Sequence, residues 1–260
     1  MGSQWQNFLA NLGEWHGSFC TVGLDGRIAD CTASILSLEA AEQGRLVRFR
    51  LQRWPAAEPL GAPSRDISED YRCLGRQVVF FASGSFCKGT LQVSPGTAFG
   101  GEFGFVRGDR RHRLVQLHGE AGDLQSLVLI REGRAGSTAE EQPPLQASQL
   151  LGTWRGEAAT ITADWPEPEH AAASVLVQAG DDGALQLTST VGAATALAEG
   201  RLQLLPDAGY HLSPLQVNHR TPFSVQAGWL PEPDRLECLI RRFDGSGAWQ
   251  SSTQLLLQRC

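Results

Sequence analysis

Lysine is nearly missing from this chain: of its 22 cationic side chains only Lys88 is not an arginine. That leaves a single amine for Schiff-base catalysis. Basic charge as a whole is outweighed, 22 residues against 28 acidic ones, for a formal net charge of −6. Nucleic-acid binding draws much of its affinity from neutralised phosphates, so this balance argues against free DNA or single-stranded RNA as a partner. No stretch approaches the roughly 18 consecutive apolar residues of a membrane span, and Met1 to Ala10 lacks a basic segment followed by an apolar run. The expectation is a soluble, cytoplasmic protein without a membrane span.

Reactive patterns are scarce as well. Six cysteines (Cys20, Cys31, Cys73, Cys87, Cys238, Cys260) fall in no paired-Cys motif and are expected to be free thiols, mostly small core residues. Among six histidines (His16, His112, His118, His170, His211, His219) only His112 and His118 come near a ligand spacing, and on one strand they stand too far apart to share an ion. No metal and no cofactor is expected. Ser85-Phe86-Cys87-Lys88 matches a Ser-x-x-Lys nucleophile pattern but follows a strand and lacks the companion motifs. No Gly-rich phosphate loop opens a helix.

What the chain does have is a repeated motif. Leu12-Gly13-Glu14-Trp15-His16-Gly17-Ser18 returns as Leu151-Gly152-Thr153-Trp154-Arg155-Gly156-Glu157. The first Gly of each copy permits a tight approach, the indole plugs a closed end, and the second Gly removes a side chain as a first strand begins. Further on, Glu102 to Ser126 falls without a gap on Ala227 to Ser251 at a shift of 125, and an insertion of three residues then brings Arg131 onto Arg259. In a closed barrel the last strand pairs with the first, so Trp15 is expected to pair with Arg131, and Trp154 with Arg259, by cation–π contact. These four residues are read as structural.

Between the motifs the pattern is that of strands. Trp5, Phe8, Leu9 and Leu12 have helical spacing and predict a short helix lidding the first barrel. Arg45 to Leu51 alternates basic and apolar residues, while Val78-Val79-Phe80-Phe81-Ala82 is apolar on both faces and should be covered from outside by the second half. Pro55 to Asp70 reads as a long Pro-rich loop, a candidate rim of a binding mouth or a tolerated insertion. Gly133 to Gln149 has linker composition. The domains expected are a first barrel over 1–135, a linker over 136–148 and a second barrel over 149–260, each of roughly eight strands.

Taken together, Trp5-Gln6-Asn7-Phe8 ahead of Gly13 to Gly17, the Gly108 to Val115 segment, Gly209 to Leu215, and Gly228-Trp229-Leu230 followed by Leu239 to Asp244 resemble the lipocalin-like (calycin) barrels. More narrowly, the chain resembles an uncharacterised, mainly cyanobacterial family with two such barrels in tandem. The resemblance implies an all-β fold of two tandem lipocalin-like antiparallel β-barrels with a short N-terminal helix. The family's nearest functional relatives are the S-type phycobiliprotein lyases, single barrels that hold a linear tetrapyrrole and pass it to a cysteine of an antenna protein; this chain departs from them in having two barrels.

A barrel of this size either holds one small ligand or fills itself with side chains. Arg113 and Arg242 lie in phase with apolar strand neighbours, as guanidiniums turned toward a cavity to hold a ligand carboxylate or, alternatively, on an outer face or paired with Glu102 or Glu237. Tyr210, His211 and Trp229 complete the candidate ligand-binding set; a histidine near an arginine and a carboxylate could also serve acid–base work, so whether the protein is an enzyme stays open. The leading expectation is a carrier or chaperone for a small apolar molecule with an acidic group: a bilin, a carotenoid-derived compound or a lipid. One alternative is a bilin lyase or a cyclase/isomerase, with an antenna protein as possible partner. Another is a non-catalytic interaction module whose partner meets the surface around Trp54 and Pro55.

Overall fold

The computed structural model describes residues 3–55, 61–164 and 167–260. It is all-β, two curled antiparallel sheets in tandem, with two small helices, α1 (Gln4–Leu9) and α2 (Ala147–Leu150). The first sheet contains β1 (Gly13–Val22), β2 (Ile28–Ala41), β3 (Leu46–Pro55), β4 (Arg65–Tyr71), β5 (Val78–Phe80), β6 (Phe86–Gly89), β7 (Phe99–Arg107), β8 (Arg110–His118) and β9 (Leu124–Arg134). The second contains β10 (Gly152–Thr162), β11 (Glu169–Ala179), β12 (Leu185–Val191), β13 (Ala194–Leu197), β14 (Arg201–Leu204), β15 (Gly209–Ser213), β16 (Phe223–Glu232), β17 (Arg235–Phe243) and β18 (Trp249–Arg259).

The strand orders are β4-β3-β2-β1-β9-β8-β7-β6-β5 and β13-β12-β11-β10-β18-β17-β16-β15-β14. First and last strands pair, as a barrel requires. Among the described residues each sheet has nine strands rather than about eight, and no ladder joins its fourth strand to its fifth, so each cup has an open seam there.

The glycine–tryptophan motif sets how the chain turns into each sheet. Gly13 and Gly152 have φ of +123° and +114°, a region that L side chains rarely adopt. A Cβ at Gly17 would collide with the Arg131 carbonyl, and one at Gly156 with that of Leu256, so both second glycines are fixed by close backbone approach. Each indole is fully buried; Trp15 Nε1 donates to Asn11 O and Trp154 Nε1 to Leu150 O, both at 2.9 Å.

Arg259 lies over Trp154 at 4.1 Å, the pairing expected. In the first half the partner differs: Trp15 stands opposite Arg134, whose guanidinium is 4.3 Å from the ring. Arg131 instead stands opposite Ser18, with Nη2 3.2 Å from Cys20 Sγ and Nη1 donating to Glu141 Oε2 at 2.5 Å. The cause is register. The shift of 125 continues through β9 without the three-residue insertion, because β9 runs on past its apolar stretch to Arg134, as β18 does to Arg259. The irregularity lies elsewhere: the register shifts between Trp229 and Glu232, which brings Phe105 onto Trp229 and Gly104 onto Gly228.

Two other expectations are corrected. Cys20 and Cys31 are not free thiols; they face each other across β1 and β2, with Cα atoms 4.1 Å apart, and form a disulfide. The Pro55 to Asp70 segment is not wholly loop, since Arg65–Tyr71 pairs along β3 as β4; residues 56–60 lie outside the described residues.

Three apolar cores follow. One lies in the first cup around Trp15, Leu36, Leu38 and Phe80; another lies in the second around Trp154, Val175, Tyr210 and Leu255. The third lies between the halves and joins Phe103, Phe105 and Leu129 to Val225, Trp229 and Leu239. Val78 to Phe81 is covered twice, Val78 and Phe80 facing the first cup and Val79 and Phe81 the core between the halves, whereas Ala82, also expected to be covered, is exposed.

Candidate ligand-binding site

The first cup encloses a cavity of about 430 Å3. Alternation along β2 and β3 turns Leu36, Leu38, Phe49 and Leu51 into it, and Phe80 and Phe86 close the opposite wall. The Phe86 ring occupies the space that a Cβ at Gly104 would fill, which is why that position is bare. Helix α1 lids one end. Gln4 behaves like a short strand, donating from Nε2 to Phe80 O at 3.0 Å and accepting from Phe80 N at 2.7 Å. Asn11 Nδ2 donates to Gly84 O at 2.9 Å. Cys73, Leu74, Gly75 and Gln77, between the unpaired edges β4 and β5, border the cavity at the seam.

The floor is ionic. Arg111 and Arg113, two apart on β8, face the cavity and converge on Glu132 of β9. Arg111 Nε donates to Glu132 Oε2 at 2.7 Å; Arg113 donates from Nε and Nη2 to Oε2 and Oε1, both at 3.0 Å. Arg113 Nη1 also reaches Glu102 Oε1 of β7 at 2.8 Å. Arg111 sits 4.7 Å from the Trp15 ring, and Arg113 5.4 Å from that of Phe19. Burial alone would raise the Glu132 carboxyl, but the two guanidiniums outweigh it and hold the group down to about 2. Burial likewise lowers Arg111, whereas Arg113, held between two carboxylates, ends above its ordinary value. Arg111 Nη2 is buried and has no hydrogen-bond partner among the described residues. Arg53, Arg65 and Lys88 add positive charge around the cavity.

The second cup carries none of these charges at the matching positions. Leu236 and Cys238 replace Arg111 and Arg113, Leu257 replaces Glu132, and Gln226 replaces Glu102; all four are buried. Tyr210 stands where Phe86 does, its ring over Gly228, its hydroxyl 3.1 Å from Cys238 Sγ and accepting from Gln226 Nε2 at 2.7 Å.

Of the expected ligand-binding set, Arg113 lines the first cavity and is also paired with Glu102, so the two roles expected of it are parts of one arrangement. Arg242 is in the other half, half-buried on the inner face of β17, and burial lowers its pKa. Tyr210 is inside the second cup. Trp229 and His211 face the other way, into the layer between the halves. There His112 stacks on Trp229, with ring centroids 5.6 Å apart, and His112 Nδ1 lies 3.0 Å from Asp207 Oδ2. Burial pushes His211 down to about 3, and neither ring nitrogen has a hydrogen-bond partner among the described residues. The structure therefore does not bring the five residues together. Sequence reasoning missed Arg111 and Glu132, although the Arg-x-Arg spacing in Arg111-His112-Arg113 already placed two guanidiniums on one strand face.

Residues 1–137 match the family model described as "Domain of unknown function (DUF3598), N-terminal". The chain belongs to the DUF3598 family. Residues 141–203 and 193–260 match a second model, "Biogenesis factor required for ATP synthase 1, C-terminal domain". The crystal structure of a DUF3598 protein of unknown function from Nostoc punctiforme PCC 73102 is 37% identical over 100% of both chains, with a TM-score of 0.90. A putative outer membrane protein from Bacteroides fragilis (8% identity, 100% of both chains, TM-score 0.31) is far more remote. So is transferrin-binding protein B from Neisseria meningitidis (8% identity, 95% of this chain and 77% of that one, TM-score 0.27). No curated protein matches. Among the described residues no helix is long and apolar enough to cross a membrane.

Proposed function

We propose that this DUF3598 protein carries a small amphiphilic molecule, an apolar body with an acidic group, in its N-terminal cup. The observation behind this reading is the contrast between the cups: the same strand positions hold Arg111, Arg113, Glu132 and Glu102 around a 430 Å3 cavity in one, and Leu236, Cys238, Leu257 and Gln226 in the other. Apolar walls with a few convergent polar groups are the usual form of a small-molecule site. The free Arg111 Nη2 is the donor a ligand carboxylate would complete, with Arg53, Arg65 and Lys88 supporting negative charge. Bilins, carotenoid-derived acids and fatty acids all have this build. An antenna-protein acceptor, and a lyase reaction, would follow only for a bilin. The test is equilibrium binding of biliverdin, a retinoid acid and a fatty acid to the parent and to Leu38→Trp, which fills the cavity. Saturable binding of one class, abolished in Leu38→Trp, supports the reading; no binding of any of the three by the parent removes it.

A second reading has its own support. The match of residues 141–260 to the C-terminal domain of a biogenesis factor required for ATP synthase favours an assembly role for the C-terminal half. A cup filled by Tyr210 fits a half that works through its outer surface. Loss of assembled ATP synthase on deleting the gene, restored by a Leu38→Trp copy, would favour this role over ligand carriage.

A further inference from the structure

A second cleft, of about 400 Å3, lies outside both cups, where the outer face of the second sheet meets the first half. Arg155 of β10, Arg235 of β17 and Arg107 at the end of β7 border it. Strand alternation sends Arg155 away from the buried Trp154 and out to this face. Arg107 and Arg235 share one carboxylate: Arg107 Nη2 is 2.8 Å from Glu232 Oε1, and Arg235 Nε is 3.3 Å from Oε2. Arg155 is exposed and forms no ion pair among the described residues. Glu237 also lines the cleft, only 6% exposed, and its Oε2 is buried without a hydrogen-bond partner among the described residues.

The geometry points to this cleft as a binding site for a phosphate monoester, its oxygens held by Arg155, Arg107 and Arg235 and accepting one hydrogen bond from the Glu237 carboxyl. Three guanidiniums against the single ionised carboxylate of Glu232 leave an excess of two positive charges when Glu237 is protonated. A phosphomonoester, nearly a dianion at neutral pH and made of acceptor oxygens, matches that excess; a carboxylate leaves one charge over. Burial raises Glu237 to about 7, against the smaller opposing pull of Arg107 and Arg235, so its donor form is accessible near neutrality. Ser85 and Glu232 are the other groups acting on it. The cleft is larger than a bare phosphate needs, and the exposed Leu256 offers apolar surface for the rest of the ester.

Phenyl phosphate, titrated calorimetrically into the full chain at about pH 6.5 and about pH 8.5, tests this. Saturable binding is expected, about tenfold weaker in Arg155→Gln, an exposed change that leaves folding intact. Benzoate should bind at least about tenfold more weakly than phenyl phosphate. Affinity of the parent should fall at the higher pH, and Glu237→Gln should bind without that fall; the ester's own second ionisation acts in the opposite sense and is common to both proteins. The proposal is overturned by absence of saturable binding, by unchanged affinity in Arg155→Gln, by benzoate binding equally well, or by loss of binding in the cup variant Arg111→Gln while Arg155→Gln keeps it.

Discussion

The Arg134 guanidinium rests 4.3 Å from the Trp15 ring and donates from Nη1 to Leu12 O at 2.8 Å, so one side chain ties the last strand of the first sheet to the turn that leads into it. Arg259 repeats both contacts, 4.1 Å from Trp154 and 2.8 Å from Leu151 O. Each cup is fastened at its closed end by the same pair. A double-mutant cycle with Trp15→Phe should therefore give a coupling of about 1 kcal/mol with Arg134→Ala, and close to zero with Arg131→Ala. Urea unfolding of the single and double variants measures it, and equal couplings would contradict the register described.

Thiol chemistry sorts the six cysteines into three groups. Cys73 and Cys260 are exposed, Cys87 and Cys238 are buried, and Cys20 and Cys31 are joined. Mass spectrometry after alkylation should find two labels on the native protein, four after denaturation without reductant and six after reduction. Because Cys73 borders the cup's mouth, a bound ligand should slow its labelling and leave Cys260 unaffected. Labelling of intact cells reports the compartment: disulfides persist where conditions are oxidising, so Cys20 and Cys31 found reduced there would agree with the cytoplasm.

Much of this fold could be read from local pattern. The turns at Gly13-x-Trp15 and Gly152-x-Trp154 follow from steric rules that act within a few residues, and the two-faced apolarity of Val78 to Phe81 announced a buried layer between the halves. What pattern could not supply was register over distance. Arg131 and Arg134 are equally good guanidiniums in sequence, and only pairing along the whole of β1 and β9 decides which one meets the indole. The Cys20–Cys31 bond has the same origin, as the two residues become opposed only once β1 and β2 are aligned. Arg113 was legible as an in-phase cation. Its partner Glu132 was not, because a single carboxylate in Arg131-Glu132-Gly133 carries no periodic signal. Tyr210, His211 and Trp229 belonged to one candidate set in sequence, but successive strand residues face opposite ways, and the sheet sends Tyr210 into the cup and His211 out of it.

Removing Glu132 leaves two buried guanidiniums without the carboxylate between them. Glu132→Gln should cost about 3 to 5 kcal/mol, the usual penalty for breaking a buried ion pair from one side. Its ionisation also sets a pH trend. The folded-state pKa, about 2, is below the ordinary 4.5, so the unfolded chain binds the proton more readily between those values. This contribution to stability is full above about 4.5 and is lost as the pH falls toward 2. Denaturation midpoints measured across that window should drop more steeply in the parent than in Glu132→Gln.

Glu237 should work in the opposite direction. Its folded-state pKa, about 7, is above the ordinary 4.5, so between those values the native state holds the proton that the unfolded chain has already released. Stability must then fall as the pH rises from about 4.5 to about 7 and level off above it; the shift corresponds to a cost of up to about 3 kcal/mol. Glutamine has nearly the same shape and no charge to bury, so Glu237→Gln should be more stable than the parent at about pH 8 and little different at about pH 4.5. Chemical denaturation at the two pH values gives the comparison. A parent whose stability does not fall across this window would mean that Glu237 enters the cleft already ionised, and its role as a hydrogen-bond donor there would be lost as well.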